Sequence, residues 1–425
     1  MNVHTCAMLA ATRPLSFEDA RVAVFAWLLG RHAGGTFSLC FEAPEKQISD
    51  SLETLHWLGL DWDDLWTGES LETCAACVER LLDKGRAYRC DGAPSDAMSV
   101  RLDQAQGRRA SFEDLWLGIQ ELAIPDQPDP LLLDAGKPTS LLARVVGAHG
   151  RGVTHVVRSP SRQSETALDL LLCDALTWGP PTYAHVPFLE GAIAQQPLSF
   201  YRGRVLGLAL ANHLARMGWT PRGKRTLLSL PALARAFESD RVRRGSVSPD
   251  PDQLVWFNRQ QLGQLELGEL TAMLEPYWCA AYGAAHRAEG TGLPPQTWQQ
   301  VLAEAILPEI QFLEDAAERA SFCFVDKVAV GREAREVLAQ AYASEVLSAF
   351  GDGIEHVGPW TFEAIDALVS ALRWQFKASH QVRSKDVMVV MRAALTGRVD
   401  GPCVVSACQL LGRARCARRV SDVML

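Results

Sequence analysis

The chain has 425 residues, of which 48% are hydrophobic and 22% charged, an ordinary globular composition with length for two to four domains. No uninterrupted apolar run is long enough to span a bilayer, which argues against a membrane partner, and the eleven cysteines are scattered and odd in number, which argues against a disulfide framework. The net charge of −8 excludes a uniformly cationic nucleic-acid binder and leaves only local basic zones to consider.

The first nine residues have no basic start and too little apolar length for a signal peptide, so they read as a buried first strand, ending near residues 9–11, of a cytoplasmic protein. A helix is predicted over 20–32, stopped by Gly34-Gly35, followed by a strand over 37–41. Helices follow at 48–57, ending at Gly59, and at 71–84. Strands alternating with helices imply parallel pairing and a nucleotide-binding α/β sheet. Cys74 and Cys77 form the only CxxC, in a helical stretch without a second pair. A zinc site needs about four ligands, so two thiols near one helix face are expected, and no zinc. Residues 91–135 are Pro- and Asp-rich with weak periodicity and read as an insertion. The α/β pattern resumes with a strand over 153–157, a helix over 166–176 and a strand over 184–189. From about residue 205 the pattern is almost wholly helical, with helices over 205–217, 230–237, 296–320 and 333–350. Between Arg202 and Arg259 there are 11 Lys+Arg against 4 Asp+Glu, and between Arg373 and Arg419 there are 10 against 2. Two basic zones on an acidic body suit a protein that grips an RNA backbone at separate places. The alternative is a pair of solvated helical faces.

Several segments occur in a telling order: Gly34-Gly35-Thr36-Phe37, Trp57-Leu58-Gly59-Leu60-Asp61-Trp62-Asp63, Ala87-Tyr88-Arg89-Cys90, Gly136-Lys137-Pro138-Thr139, Gly152 to Arg158, His185-Val186-Pro187, Met217-Gly218-Trp219, Asp240-Arg241-Val242, Leu254 to Asn258, and Met391 to Arg398. In this order, over nearly the whole length, the chain resembles the glutamyl-tRNA synthetase family of class I aminoacyl-tRNA synthetases. The resemblance implies an α/β Rossmann-like catalytic domain followed by all-α helical-bundle domains. It implies ATP-dependent ligation of glutamate to tRNA, with ATP and magnesium as cofactors, tRNA and glutamate as partners, no DNA, and a monomer. Its parts would be 1–90 and 136–204 for the two catalytic halves, 91–135 for a shortened acceptor-end insertion, 205–265 for a stem-contact region and 266–425 for an anticodon-binding-like domain. By the same resemblance Arg241, Arg243, Trp256, Asn258, Arg392 and Arg398 would face tRNA.

The chemical motifs depart from the family pattern. Its first signature turn, His-Ile-Gly-Gly, cradles ATP phosphates. Here it is Ser16-Phe17-Glu18-Asp19, a capping-box pattern in which Ser16 and Asp19 satisfy the helix amides internally. Glu18 and Asp19 also add negative charge, and a like-charge pair at 4 Å costs about 4 kcal/mol at an effective dielectric of about 20. The second signature, Lys-Leu-Ser-Lys-Arg, becomes Pro197-Leu198-Ser199-Phe200-Tyr201, which keeps Leu198 and Ser199 and loses both lysines, with Arg202 and Arg204 nearby. In the amino-acid pocket, the carboxylate-gripping Arg becomes Cys6, a Ser becomes Ala10, and a Tyr-Asn pair becomes Ser140-Leu141, while Glu42 and Arg158 stand at matching positions. Three functions follow: a glutamate–tRNA ligase with a divergent site, a tRNA-docking paralogue with weak or no adenylation, or an eroding paralogue without a role.

Overall fold

Strand β1 (His4–Leu9) is buried from Thr5 onward, the signature of a central strand covered on both faces. In the computed structural model, which describes residues 2–9, 14–42, 45–90, 99–103, 109–123, 129–223, 226–283, 288–379 and 382–424, it pairs in parallel with β2 (Thr36–Phe41) on one side. On its other side lies β10 (His155–Arg158), so that Cys6 sits opposite Ser38 and Val156. Strands β3 (Asp64–Trp66) and β11 (Thr182–His185) complete a five-stranded parallel sheet in the order β11-β10-β1-β2-β3. The winding reverses between β1 and β10, and in open α/β sheets ligands bind outside the carboxyl ends of the strands at such a reversal.

Helix α1 (Phe17–His32) is buried from Phe17 to Gly30, with almost no solvent-facing stripe. A helix apolar nearly all round must be enclosed, and α1 packs on β1, β2 and β10 and on helices α6 (Gly207–Arg216) and α7 (Leu230–Ala236). It starts three residues before the expected Ala20, because the capping box at Ser16 adds a turn. Gly30 is dictated by close approach: a Cβ there would lie 2.5 Å from Thr5 Oγ1. The Trp57–Asp63 segment clamps the far end of α1. Arg31 pairs with Asp61 at 3.2 Å and with Asp63 at 2.7 Å, and Trp27 Nε1 donates to Asp61 Oδ1 at 2.6 Å.

Helices α2 (Ser49–Trp57) and α3 (Leu71–Asp83) form as expected. The 91–135 region, read as a weakly periodic insertion in which residues 99–102 and 112–115 fit strands of the resembled family, carries antiparallel strands. Strands β4 (Ala87–Arg89), β5 (Val100–Leu102), β8 (Leu131–Asp134) and β9 (Lys137–Pro138) make one sheet, and β6 (Arg109–Asp114) with β7 (Gly118–Ala123) makes a hairpin. The strands are short or half-exposed, which is why periodicity marked them poorly. Helices α4 (Ser140–Gly150) and α5 (Gln163–Leu176) share one apolar core with α3 and that sheet, centred on Val78, Leu81, Val100, Leu132, Leu142 and Leu172. The expected strand over 184–189 ends at His185: Val186 N still donates to Arg158 O at 3.0 Å, but Pro187 has no donor to carry the ladder further.

The chain divides into two compact units, Met1–Phe257 and Asn258–Leu425, and helix α8 (Pro251–Leu262) runs across the division. The second unit is helical: α9 (Leu267–Tyr282), α10 (Pro295–Ile306), α11 (Asp315–Phe324), α12 (Arg332–Leu338), α13 (Ala343–His356), α14 (Phe362–Ser379), α15 (Ser384–Thr396) and α16 (Val404–Met424). The single helix expected over 296–320 is two, broken where Pro308 lacks a donor. The one expected over 333–350 is also two, parted at residues 339–342, where no sequence signal marks the break. Helix α16 kinks at Gly412, whose φ of 73° favours glycine and where a Cβ would lie 2.5 Å from Gly290 O.

Candidate functional site

The crevice at the carboxyl ends of β1 and β10 meets the N-terminus of α1, where an incoming phosphate would look for free amides. The amides of Ser16, Phe17 and Asp19 are taken by the chain itself. Ser16 N donates to Asp19 Oδ2 at 3.0 Å, Asp19 N to Ser16 Oγ at 3.2 Å, and Ser16 Oγ to Asp19 Oδ2 at 2.5 Å. Phe17 N donates to Gln196 O at 2.9 Å, and Leu198 N donates to Leu15 O at 2.8 Å. Ser16 and Pro197 form an isolated antiparallel bridge. The segment carrying Ser199 is thus fastened over the helix start, with Leu198 fully buried, Ser199 exposed, and Phe17 packed 5.4 Å from the Tyr201 ring.

Glu18 behaves differently from its reading as bare negative charge. Its carboxylate is buried and doubly bonded to Arg21, at 3.0 Å and 3.2 Å, and accepts from Ser159 Oγ at 3.3 Å. Arg21 is fully buried and also donates to Met217 O at 3.1 Å and to Pro187 O. Burial pushes the Glu18 carboxyl up, and the charge and hydrogen bonds of Arg21 pull it part of the way back. The pair is neutral in sum, so the repulsion expected from Glu18 is cancelled by its neighbour. What opposes phosphate here is occupancy of the donors.

Beside this lies a balanced set of three arginines and three carboxylates. Arg158 is fully buried, pairs with Asp169 at 2.6 Å, and donates to Thr166 Oγ1 at 3.1 Å. Arg144 bonds Asp169 at 2.7 Å and lies 3.7 Å from Glu165 and 3.9 Å from Glu42. Arg162 holds Glu165 at 2.5 Å and also pairs with Glu42. Both matching charged positions, Glu42 and Arg158, are therefore engaged within the protein.

Glu42 and Ser140 line the same cavity of about 450 Å³, together with Thr67, Glu69 and Arg144. Cys6 does not line it. Its thiol is fully buried among Met8, Cys40, Trp66 and Val156, and burial pushes it well up from the ordinary thiol range. Ala10 lies outside the described residues. Arg202 and Arg204, near the second signature, are turned to other tasks: Arg202 lies 3.5 Å from Asp50 and 3.6 Å from Glu53, and Arg204 sits 4.3 Å over the Phe200 ring.

Of the RNA-facing expectations, Arg241 and Arg243 are exposed, with Arg241 3.4 Å from Glu238. Trp256 is half-buried, 5.1 Å from Phe257. Asn258 is wholly buried and donates to Gln311 O at 2.7 Å, so its side chain offers no surface. Arg392 donates to Pro402 O and Val399 O, each at 2.9 Å, and Arg398 pairs with Asp400 at 2.9 Å and Glu309 at 3.4 Å. These last three are committed to their own unit.

Sequence reasoning missed Arg21, Arg144, Arg162, Glu165 and Asp169. The available signal was a charge inside an apolar helical run: Arg144 in Leu141-Leu142-Ala143-Arg144-Val145-Val146, Asp169 in Ala167-Leu168-Asp169-Leu170-Leu171, and Arg21 three residues after Glu18. A charge on an enclosed helix needs a partner from elsewhere in the fold.

Fold and crevice define a class I synthetase-type nucleotide-binding domain joined to a helical unit. A family model described as "tRNA synthetases class I (E and Q), catalytic domain" matches residues 15–114 and 93–256, and one described as "Anticodon binding domain" matches 269–424. The glutamate–tRNA ligase of Thermosynechococcus vestitus is 29% identical over 462 residues, covering 94% of this chain and 93% of the relative. That of Geobacillus stearothermophilus is 25% identical over 485 residues, covering 97% and 96%. The crystal structure of a glutamate tRNA ligase from Elizabethkingia meningosepticum, in complex with its amino acid, matches in fold with a TM-score of 0.80 at 17% identity, covering 100% of this chain and 99% of that one. The chain belongs to the glutamyl-tRNA synthetase family of class I aminoacyl-tRNA synthetases.

Proposed function

We propose that this family member holds tRNA and activates glutamate weakly or not at all. The observation that carries the reading is the start of α1, where Asp19, Gln196 and Ser16 take up the amides of Ser16, Phe17 and Asp19, three of the donors a triphosphate would meet there. ATP with magnesium does not fit the residues present at that turn, so no step through it is derived. The second signature has no lysine, and the two arginines beside it face Asp50, Glu53 and Phe200. The position of the carboxylate grip is a core cysteine. If each of these three losses costs about 2–4 kcal/mol, adenylation falls by about four to eight decades, less where the effects overlap.

The tRNA half of the reading is supported by the anticodon-domain match and by two basic zones on an acidic body, with Arg241 and Arg243 exposed in the first. Glutamate-dependent exchange of pyrophosphate into ATP tests the enzymatic half. We expect background exchange from the purified chain, and a clear glutamate-dependent signal would overturn this reading in favour of an active ligase with a divergent site.

A further inference from the structure

Among the described residues of the C-terminal unit two aromatic side chains are exposed, Phe362 at the first position of α14 and, more fully, Trp374 in its interior. All twelve tryptophans lie in described residues, and Trp374 alone among them is exposed, at 74%. It stands on α14, which buries Ile365, Val369, Leu372 and Phe376 along one stripe. On the turns around Trp374 the neighbours at three and four residues are Ser370, Ala371, Lys377 and Ala378, all exposed and three of them small. The indole is therefore not covered by long side chains of its own helix. Arg373 and Lys377 flank it, exposed and without a side-chain partner among the described residues. From Ala367 to Lys385 the sequence has no Asp or Glu, and Arg373, Lys377, Arg383 and Lys385 are its cations.

The contrast with the rest of the second basic zone is instructive. Arg413 donates to Val357 O, Arg415 to Cys323 O and Leu411 O, and the buried Arg419 to Phe322 O and Val325 O. Like Arg392 and Arg398, these cations bind the unit together. The count of basic residues overstates the surface open to a polyanion: Arg383 also pairs with Asp386 at 2.8 Å, and Arg373 and Lys377 are the cations that flank the exposed indole.

We propose that Trp374 is a stacking platform for an unpaired nucleobase of bound tRNA, with Arg373 and Lys377 holding the adjoining phosphates. The proposal rests on the tRNA-binding reading above. Base-on-aromatic stacking beside cations is how single-stranded segments are held without base-edge readout, and the positive charge on either side of the ring selects a polyanion over an acid-poor protein surface. The residues lie within the 269–424 anticodon-domain match, on a helix distinct from the one bearing Arg392.

The experiment is filter binding of tRNA by the full chain and its variants across a salt series. Trp374→Ala should weaken binding by about 5- to 100-fold at every salt concentration without changing the slope of log K against log salt, since stacking releases no counterions. Trp374→Phe should recover most of the loss, and Lys377→Ala should make the slope shallower by about 0.7 to 0.9. Melting curves of all three variants should match the parent. If the parent binds and Trp374→Ala binds equally well, the platform is refuted while tRNA binding stands. If the parent itself does not bind, the reading beneath the platform fails first. If Trp374→Ala instead abolishes self-association in sedimentation without RNA, the occupant is a second copy of this chain and the proposal is wrong.

Discussion

At the residue scale, Glu18 and Arg21 show how a carboxylate that reads in sequence as charge hostile to phosphate is neutralised by a neighbour one helical turn away. Two ions have left water together, each with enough hydrogen bonds to survive the transfer. Removing one partner leaves the other stranded. Glu18→Ala should therefore destabilise the first unit by about 3–5 kcal/mol, read as an earlier urea midpoint, whereas Glu18→Leu combined with Arg21→Met should recover most of it. An unchanged midpoint in Glu18→Ala would show that Arg21 finds its stability elsewhere. Ser16 is a smaller case of the same kind, a cap whose loss typically costs about 1 kcal/mol.

At the scale of elements, the ionic set ties β2, α4, β10 and α5 together through Glu42, Arg144, Arg158, Arg162, Glu165 and Asp169. Glu165 reports on it. Burial pushes its carboxyl up, but the hydrogen bond and charge of Arg162 outweigh burial and hold it below the ordinary range. Its contribution to stability is present above the unfolded value of about 4.3 and is lost as pH falls through the lower folded value. Urea midpoints measured from about pH 5 to 3 should fall more steeply for the parent than for Glu165→Gln. Parallel traces over that interval would mean the ion pair does not couple to folding.

The same elements show what was legible beforehand. The strand–helix alternation of residues 1–90 and the cap at Ser16 were readable because periodicity and capping are local. The ionic set was not, because its members come from four elements far apart in sequence, and a lone arginine in an apolar helix does not name its partner. The strap of Gln196–Leu198 over α1 was hidden for the same reason: the loss of lysines from that segment was visible, but where the backbone would go instead was not. The half-exposed strands of the 91–135 region lacked a buried face strong enough to mark them.

At the scale of the whole molecule, an acidic chain of net charge −8 is expected to bind a polyanion only through local patches, and many of its arginines are already bound to backbone oxygens. Binding of tRNA should therefore be weak at high salt and fall linearly in log K against log salt, with a slope set by the exposed cations that meet the RNA. Filter binding from about 50 to 200 mM salt measures that slope, and a flat line would remove the electrostatic basis for RNA binding. No helix among the described residues is long and apolar enough to cross a membrane.

The three-against-three charge balance beside Cys6 also has an evolutionary consequence. Placing arginine at that position would bury a further cation beside Arg158 and Arg151, whose carboxylate partners Asp169, Asp64 and Glu69 are already engaged. Restoring histidine at Ser16 would discard the cap while the Gln196 strap still covered the turn. Each single step back is uphill in folding before it gains anything in chemistry. On the proposed reading the packing acts as a ratchet, and a chain with this interior reaches the family's signature residues only by several coordinated changes.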